Sequence, residues 1–82
     1  MDQNQVFNDV QKVACEILKV PAERVVPLAR LVEDLNVDSL FITQLAMGLE
    51  DEFDIEVDDA NLPGLTTVQS VVDFVIAKKG AN

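Results

Sequence analysis

The sequence contains no histidine, no tryptophan and no tyrosine, and it has a single cysteine. Without histidine, a serine or cysteine nucleophile has no imidazole base beside it, and zinc sites built from cysteine and histidine are excluded. Cys15 can form no internal disulfide, and we expect it to be a small, half-buried residue on the flank of a helix. The composition therefore predicts neither self-activated nucleophilic chemistry nor a metal centre.

Basic residues are also scarce, with 6 Lys and Arg against 15 Asp and Glu and a net charge of −9. This balance argues against nucleic acid as a ligand, because phosphates require a basic surface. No basic residue lies between Leu31 and Ala77. The acids of that stretch are Glu33, Asp34, Asp38, Glu50, Asp51, Glu52, Asp54, Glu56, Asp58, Asp59 and Asp73. A field of one sign attracts basic partners, so we interpret the stretch as an acidic docking surface.

Long apolar runs are absent as well. No run approaches the ~18 residues needed to span a bilayer, and the N-terminus lacks a charged-then-apolar leader. The 82 residues are too few for two cores, so residues 1–82 are expected to form one domain. These features predict a soluble, cytoplasmic protein that is a monomer.

Apolar residues at helical spacing predict a first helix over residues 4–18, with Asn4 or Asp2 as its N-cap and Pro21 preventing its continuation. Its stripe is Val6, Phe7, Val10, Val13, Ala14, Ile17 and Leu18. No period holds from Val20 to Val37, where Pro21 and Pro27 interrupt the chain. Apolar anchors there predict a loop pinned across the other helices. The anchors are Val25, Val26, Leu28, Leu31 and Leu35.

The helical period returns in a second predicted helix from about Ser39 to Glu52, with Asp38 as N-cap. Asp58 or Asp59 is expected to cap one short helical turn through Leu62, which Pro63-Gly64 ends. Thr66-x-x-Gln69 matches a capping box for a last helix over residues 67–79. Lys78 and Lys79 suit its C-terminal dipole, and Gly80 stops it. The predicted fold is all-α: a small four-helix bundle of three long helices and one short helix.

Ser39 is the main candidate site, and three interpretations compete for it. Calcium binding is suggested by Asp34-x-Asn36-x-Asp38, but an EF-hand loop needs glycine at its sixth position and glutamate at its twelfth. Here these positions are Ser39 and Leu45, so the coordination shell cannot be completed. Intrinsic hydrolysis or acyl transfer fails because no base or Gly-x-Ser-x-Gly elbow accompanies the serine.

The third interpretation is covalent modification of Ser39 by another enzyme. A serine at the first helical position lies near free backbone amides and the positive end of the helix dipole, which favour a phosphate-linked group. The carboxylate of Asp38 opposes it, so spacing alone leaves an ordinary helix-start serine as an alternative.

Three segments resemble the bacterial acyl carrier proteins. They are Val32-Glu33-Asp34-Leu35-Asn36-Val37-Asp38-Ser39-Leu40, then Leu45-Ala46-Met47-Gly48-Leu49-Glu50-Asp51-Glu52-Phe53, and finally Thr66-Thr67-Val68-Gln69 with Val72-Asp73-Phe74-Val75. The resemblance covers essentially the whole chain. It implies a non-enzymatic carrier with 4′-phosphopantetheine attached to Ser39 by a phosphopantetheinyl transferase. Acyl groups would then travel as thioesters for fatty-acid or related lipid or polyketide synthesis.

The resemblance also implies partners and a place for the cargo. The partners would be acyl synthase, ligase or acyltransferase enzymes whose basic patches dock on the second helix. The acyl chain would retreat between helices. The side chains lining that space would be Ile42, Ala46, Leu49, Val71, Val72 and Val75.

The chain departs from the housekeeping carriers at Phe41 and Gln44, where acids are usual. Phe41 is then either ordinary family drift or a core residue, or it marks a specialised carrier whose partner also makes apolar contact, which is our hypothesis. The docking face, as we name it, is Asp38, Leu40, Phe41, Gln44, Met47, Glu50 and Asp51. For Gly48 the sequence leaves two alternatives open: it admits the close approach of a partner backbone, or it is a tolerated weak point in the helix. The alternatives are a peptidyl or D-alanyl carrier, and an acidic adaptor that binds a basic partner without a prosthetic group.

Overall fold

The first α-helix, α1, spans Gln3–Leu18 in a computed structural model that describes residues 3–80. Its predicted stripe faces inward: Val6, Val10, Val13 and Ala14 are buried, and Phe7, Ile17 and Leu18 pack partly against the core. The helix ends at Leu18. The Lys19 amide still bonds the Cys15 carbonyl at 3.0 Å, and the left-handed backbone of Lys19 (φ 59°) then leaves the helical path. Asn4 lies inside α1, so the prediction that it is the N-cap is wrong. Asp2 lies outside the described residues.

The long loop after α1 is pinned, as predicted. It contains one 3-10 turn at Ala22–Arg24, and the Gln11 side-chain amide of α1 donates to the carbonyls of Ala22 (2.9 Å) and Val25 (3.1 Å). Its buried side chains are Val25, Ala29, Leu31, Leu35 and Val37. Two of the predicted anchors are wrong, since Val26 is 44% exposed and Leu28 is 85% exposed. The tight turn between Val26 and Ala29 directs these two apolar side chains into solvent.

The second α-helix, α2, spans Ser39–Phe53. Asp38 is its N-cap, as predicted, because the carboxylate accepts the Phe41 N–H at 3.0 Å. The helix runs one residue past Glu52 and buries Phe53, and Asp54 then reverses the chain in the left-handed region (φ 54°).

A short 3-10 helix spans Asp59–Gly64. The Asn61 side chain accepts the Asp58 amide at 3.1 Å, and the Asn61 amide donates to the Asp58 carbonyl at 2.9 Å. The predicted end at Leu62 is wrong, because Pro63 and Gly64 belong to the helix. Pro63 has no N–H to donate, and the helix closes after Gly64 with a hydrogen bond from the Leu65 amide to the Leu62 carbonyl at 3.0 Å.

The third α-helix, α3, spans Val68–Gly80, with Lys78 and Lys79 in its last turn. Its capping box lies one residue later than predicted. Thr67 Oγ1 accepts the Ser70 amide at 3.1 Å, and Ser70 Oγ accepts the Thr67 amide at 2.9 Å. The Thr66–Gln69 pairing is therefore wrong, and Gln69 instead donates its side-chain amide to Asp73 Oδ1 at 2.8 Å. Gly80 is the last residue of α3, one residue beyond the predicted end at residue 79.

The start of α3 is joined to the long loop by backbone hydrogen bonds. Val68 N–H donates to the Ala29 carbonyl at 3.0 Å, and Gln69 N–H donates to the Pro27 carbonyl at 2.9 Å. In the opposite direction, the Leu31 amide donates to the Thr66 carbonyl at 2.9 Å. The first amides of a helix have no partner inside that helix, so the loop satisfies two that α3 leaves open.

All three α-helices and the loop contribute to a single core. α1 packs against both α2 and α3, and the most deeply buried large side chains are Leu31, Leu45, Leu49, Val6, Val10, Val25, Val37, Val68, Val71, Val72 and Val75. The predicted all-α bundle of three long helices and one short helix is confirmed. Among the described residues, no helix is long and apolar enough to cross a membrane.

Candidate attachment site at the start of the second helix

Ser39 is the first residue of α2, and its side chain is exposed to solvent. Its own carbonyl accepts a hydrogen bond from the Thr43 hydroxyl at 3.0 Å, one turn along the helix. Asp38 fixes the direction in which α2 leaves the loop, and the left-handed Asn36 (φ 58°) precedes it. The serine is therefore presented at the corner where the loop meets the helix.

The only other serine of the chain, Ser70, is engaged in capping. Its hydroxyl donates to the Thr67 carbonyl at 2.7 Å and accepts the amides of Thr66 (3.0 Å) and Thr67 (2.9 Å). These bonds use the donor and both acceptor positions that a hydroxyl has. Of the two serines, Ser39 is the exposed one, whereas Ser70 is half-buried and engaged in the cap of α3.

The electrostatics at the start of α2 give limited support for a phosphate. Asp38 occupies one otherwise free amide of the first turn, since its carboxylate accepts from Phe41 N–H at 3.0 Å, whereas the Ile42 amide makes the ordinary first helical bond to the Asp38 carbonyl at 3.0 Å. The predicted stabilisation of a phosphodiester by these amides is thereby reduced. Exposure of Ser39 means that water can solvate the anion instead.

A cluster of opposite charges lies in the loop before the site. The Asp34 carboxylate accepts the Arg30 amide at 2.8 Å, and the Arg30 guanidinium also contacts Glu33 at 3.3 Å. The backbone hydrogen bond from Arg30, followed by its side-chain bond, lowers the pKa of the Asp34 carboxyl below its usual value. Arg24 donates to the Asp34 carbonyl at 2.8 Å. Asp34 and Asp38 thus have separate partners. Among residues 3–80, no group of three metal-binding side chains is close enough to hold an ion.

The predicted docking face lies largely on the outer side of α2. Leu40 (62% exposed), Gln44, Met47 (60% exposed) and Asp51 repeat at intervals of three and four residues, and all face solvent. Asp38 is exposed at the helix start, and Phe41 lies on one flank at 36% exposure.

Glu50 lies on the other flank of the docking face and differs from its neighbours. It is half-buried, and its Oε2 accepts the Val57 amide at 3.1 Å, which ties α2 to the segment before the 3-10 helix. A partner would therefore have to compete with this bond for the Glu50 carboxylate.

The side chains proposed to line the cargo space belong to a packed core. Leu49, Val71, Val72 and Val75 are at most 1% exposed, Ala46 is buried, and Ile42 packs against the cluster from its edge. The structure therefore shows these side chains as part of the packed core.

Gly48 has close neighbours on α1. A Cβ at Gly48 would lie 2.7 Å from Ile17 Cδ1 and 2.8 Å from Val13 Cγ1. The missing side chain thus allows α1 to pack closely against α2.

Comparison with known proteins agrees with this arrangement. Residues 8–75 match the family described as "Phosphopantetheine attachment site". The chain is 42% identical over 81 residues to an acyl carrier protein from Thermosynechococcus vestitus (strain NIES-2133 / IAM M-273 / BP-1). The aligned region covers 99% of this chain and 100% of that protein.

The chain belongs to the acyl carrier protein family. Acyl carrier proteins bear a phosphopantetheine arm, are carriers and not catalysts, and interact with phosphopantetheinyl transferase and biosynthetic enzymes. Fatty-acid biosynthesis is their usual role. The family and the cofactor predicted from the sequence are confirmed. A prosthetic group is part of this family's function, so the hypothesis of an adaptor without one is set aside.

Proposed function

We propose that residues 1–82 form one carrier domain in which Ser39 is the attachment residue, and that its cargo is a fatty-acyl or related group for lipid or polyketide synthesis. The observation that supports this assignment is the contrast between the two serines. The Ser39 hydroxyl is exposed at the start of α2, whereas the Ser70 hydroxyl is used in the cap of α3. The arm supplies a terminal thiol, and this chain supplies the tether.

Attachment consists of one phosphoryl transfer. The Ser39 oxygen forms a bond to the phosphorus that bears pantetheine, the pyrophosphate bond of coenzyme A breaks, and adenosine 3′,5′-bisphosphate leaves. The hydroxyl proton passes to a base of the transferase, since this chain has no histidine to receive it. Asp38 contributes position, because its hydrogen bond to Phe41 N–H fixes the first turn on which the serine is mounted.

The test of attachment is intact mass combined with peptide mapping. Purified protein is incubated with coenzyme A and a phosphopantetheinyl transferase. We expect the mass of one phosphopantetheinyl group to be gained on the peptide that contains Ser39. Ser39→Ala should abolish the gain. Thr43→Val, which removes a neighbouring hydroxyl and retains the side-chain shape, should leave it intact. A gain mapped to another side chain, or no gain with a competent transferase, overturns the assignment.

We further propose that the docking face recognises its partner by apolar contact as well as charge. Leu40, Phe41 and Met47 place apolar surface beside Ser39, where contiguous exposed apolar side chains mark partner sites. Burial of apolar surface contributes ~25 cal/mol per Å², so a buried Phe41 can offset the two acids that the usual pattern has here.

The docking proposal is tested with Phe41→Asp and the matched charge variant Gln44→Glu. If the partner buries Phe41, Phe41→Asp slows loading by the enzyme that naturally acylates this protein, whereas Gln44→Glu does not. Faster loading of Phe41→Asp would contradict the proposal and indicate that charge alone guides this partner.

The cargo is identified by releasing the thioester-linked acid from protein purified from its native cells. We expect a fatty-acyl or related chain. An amino acid on the arm would instead indicate a peptidyl or D-alanyl carrier, and would leave the assignment of Ser39 unchanged.

A further inference from the structure

The long loop between α1 and α2 ends in a turn that is closed by hydrogen bonds at its base. We call residues 30–37 the loop-end turn. The Val37 amide donates to the Leu31 carbonyl at 2.9 Å, and the Leu31 amide donates to the Thr66 carbonyl, also at 2.9 Å. Leu31 and Val37 are both buried. The base of the turn is therefore fixed to the core and to the chain just before α3.

Asp34 is the centre of the polar contacts in the loop-end turn. Its Oδ2 accepts the Arg30 amide at 2.8 Å and the Arg30 guanidinium at 3.4 Å. In the opposite direction, the Asp34 amide donates to the Arg30 carbonyl at 2.9 Å. The Asp34 carbonyl also accepts the Arg24 guanidinium at 2.8 Å, which connects the 3-10 turn at Ala22–Arg24 to the same residue. Asp34 thus joins two separate parts of the long loop.

Asn36 shows why the loop-end turn needs these contacts. Its backbone is left-handed (φ 58°), a conformation that asparagine tolerates better than most residues but that remains uncommon. The residues on either side of it, Leu35 and Val37, are both buried. The reversal of the chain at Asn36 is therefore maintained by contacts around it, and not by the preference of its own backbone.

The position of Ser39 depends on the loop-end turn. Ser39 follows Val37 by two residues, so its Cα lies within ~7 Å of the Val37 Cα. Asp38 lies between them and bonds the Phe41 amide of α2 at 3.0 Å. The serine is therefore located by a turn that is fixed to the start of α3, as well as by the first turn of its own helix.

We propose that Asp34 is a positioning residue for the attachment of the phosphopantetheine arm to Ser39. Its carboxylate holds the loop-end turn closed, and the closed turn sets where the Ser39 oxygen lies when the transferase delivers the phosphorus. Asp34 itself contacts none of the reacting atoms. A misplacement of ~1 Å can slow a reaction about a hundredfold, so a modest loosening of the turn is measurable. This inference rests on the proposed function, since it takes Ser39 as the attachment residue.

The kinetic test measures the rate of mass gain at Ser39 with coenzyme A and a competent phosphopantetheinyl transferase, over a range of carrier concentrations. Asp34→Ala should lower kcat about threefold to tenfold and change KM less, because misplacement acts within the bound complex. Asp34→Asn removes the same charge but keeps an oxygen that can accept the Arg30 amide, so it should restore most of kcat. Glu23→Ala removes an exposed acid of the same loop outside the loop-end turn and should leave kcat unchanged.

A second measurement follows the turn itself, without the transferase. Nuclear magnetic resonance relaxation gives the order parameter of each amide, which is about 0.85 in rigid backbone. In Asp34→Ala the order parameter of Val37 should fall, whereas that of Val72 in the core of α3 should not. Circular dichroism verifies that each variant is folded at the assay temperature. If Asp34→Ala does not fold, Arg24→Ala replaces it, because it removes the bond to the Asp34 carbonyl and should cause smaller changes in the same direction.

Three results would overturn the positioning role: equal kcat in Asp34→Ala and Asp34→Asn, a higher KM at unchanged kcat in Asp34→Ala, or an unchanged order parameter of Val37. The second result would mean that Asp34 contributes only charge to docking. If wild-type protein gains mass at Ser39 while any of these results is found, the positioning role is wrong and the proposed function stands. If wild-type protein gains no mass at Ser39, the proposed function fails and the positioning role fails with it, even where Val37 responds.

Discussion

Two adjacent residues at the start of α2 have different tasks. Asp38 closes the helix end through a 3.0 Å bond to the Phe41 amide, and Ser39 presents its hydroxyl to solvent. The first task concerns stability and the second concerns the modification that we propose, so substitutions can separate them.

Asp38→Ala is expected to lower the free energy of unfolding by ~1 kcal/mol, because it leaves a first-turn amide of α2 without its cap. Asp38→Asn retains a side-chain oxygen and should retain most of that stability. Urea unfolding followed by circular dichroism measures both. Equal losses in the two variants would show that the charge of Asp38, and not its hydrogen bond, stabilises the helix.

Asp34 should give the stability of the protein a pH-dependent component. Its pKa is lowered in the folded protein by its hydrogen bonds from Arg30, so folding favours the ionised carboxylate. The stabilisation is complete above the unfolded pKa of about 4 and is lost as the pH falls through the lower folded pKa. We therefore expect wild type to exceed Asp34→Asn in stability at pH 6, and the difference to shrink below about pH 4. Urea midpoints across this range would refute the expectation if the difference stayed constant.

At the scale of the helices, Gly48 sets how closely α1 and α2 approach. A mid-helix Gly→Ala change ordinarily gains ~1 kcal/mol. Here the new Cβ would lie under 3.0 Å from Val13 and Ile17, and overpacking costs ~1–3 kcal/mol. Gly48→Ala should therefore lower the free energy of unfolding by ~1 kcal/mol, as measured by urea unfolding. A gain in stability would mean that α1 shifts away at little cost.

The sequence predicted the elements whose signals are local. The apolar periods of α1 and α2 gave bounds within one residue of those observed, and Asp38 was recognised as a cap from its residue type and position. The cap of α3 was placed one residue too early because Thr66 and Thr67 are equally able to cap. The choice depends on Ser70, which bonds both amides.

What depends on packing could not be predicted. Val26 and Leu28 are as apolar as the true anchors of the loop, and only the turn between Val26 and Ala29 directs them outward. The close packing of Val13 and Ile17 on Gly48 depends on the distance between two helices, so no pattern along the chain indicates it.

For the whole molecule, a net charge of −9 has two opposite consequences for salt dependence. Self-repulsion of the folded chain is screened as the Debye length falls from ~30 Å at 0.01 M to ~8 Å at 0.15 M salt. Thermal unfolding should therefore move to higher temperature over this range. Attraction to a basic transferase is screened by the same ions, so loading of Ser39 should slow. If the loading rate rose with salt together with the unfolding temperature, charge would not guide the encounter with the transferase.

The two hydrogen bonds from α3 to the loop change how fast the first-turn amides of α3 should exchange their protons with solvent. The first amides of a helix ordinarily exchange their protons with water rapidly, because they have no hydrogen-bond acceptor within the helix. The Val68 and Gln69 protons are covered by the carbonyls of Ala29 and Pro27. The rate of deuterium uptake at these two amides therefore reports how often the loop backbone separates from α3. Slow uptake would mean that the loop leaves the helix only when both unfold in one cooperative step.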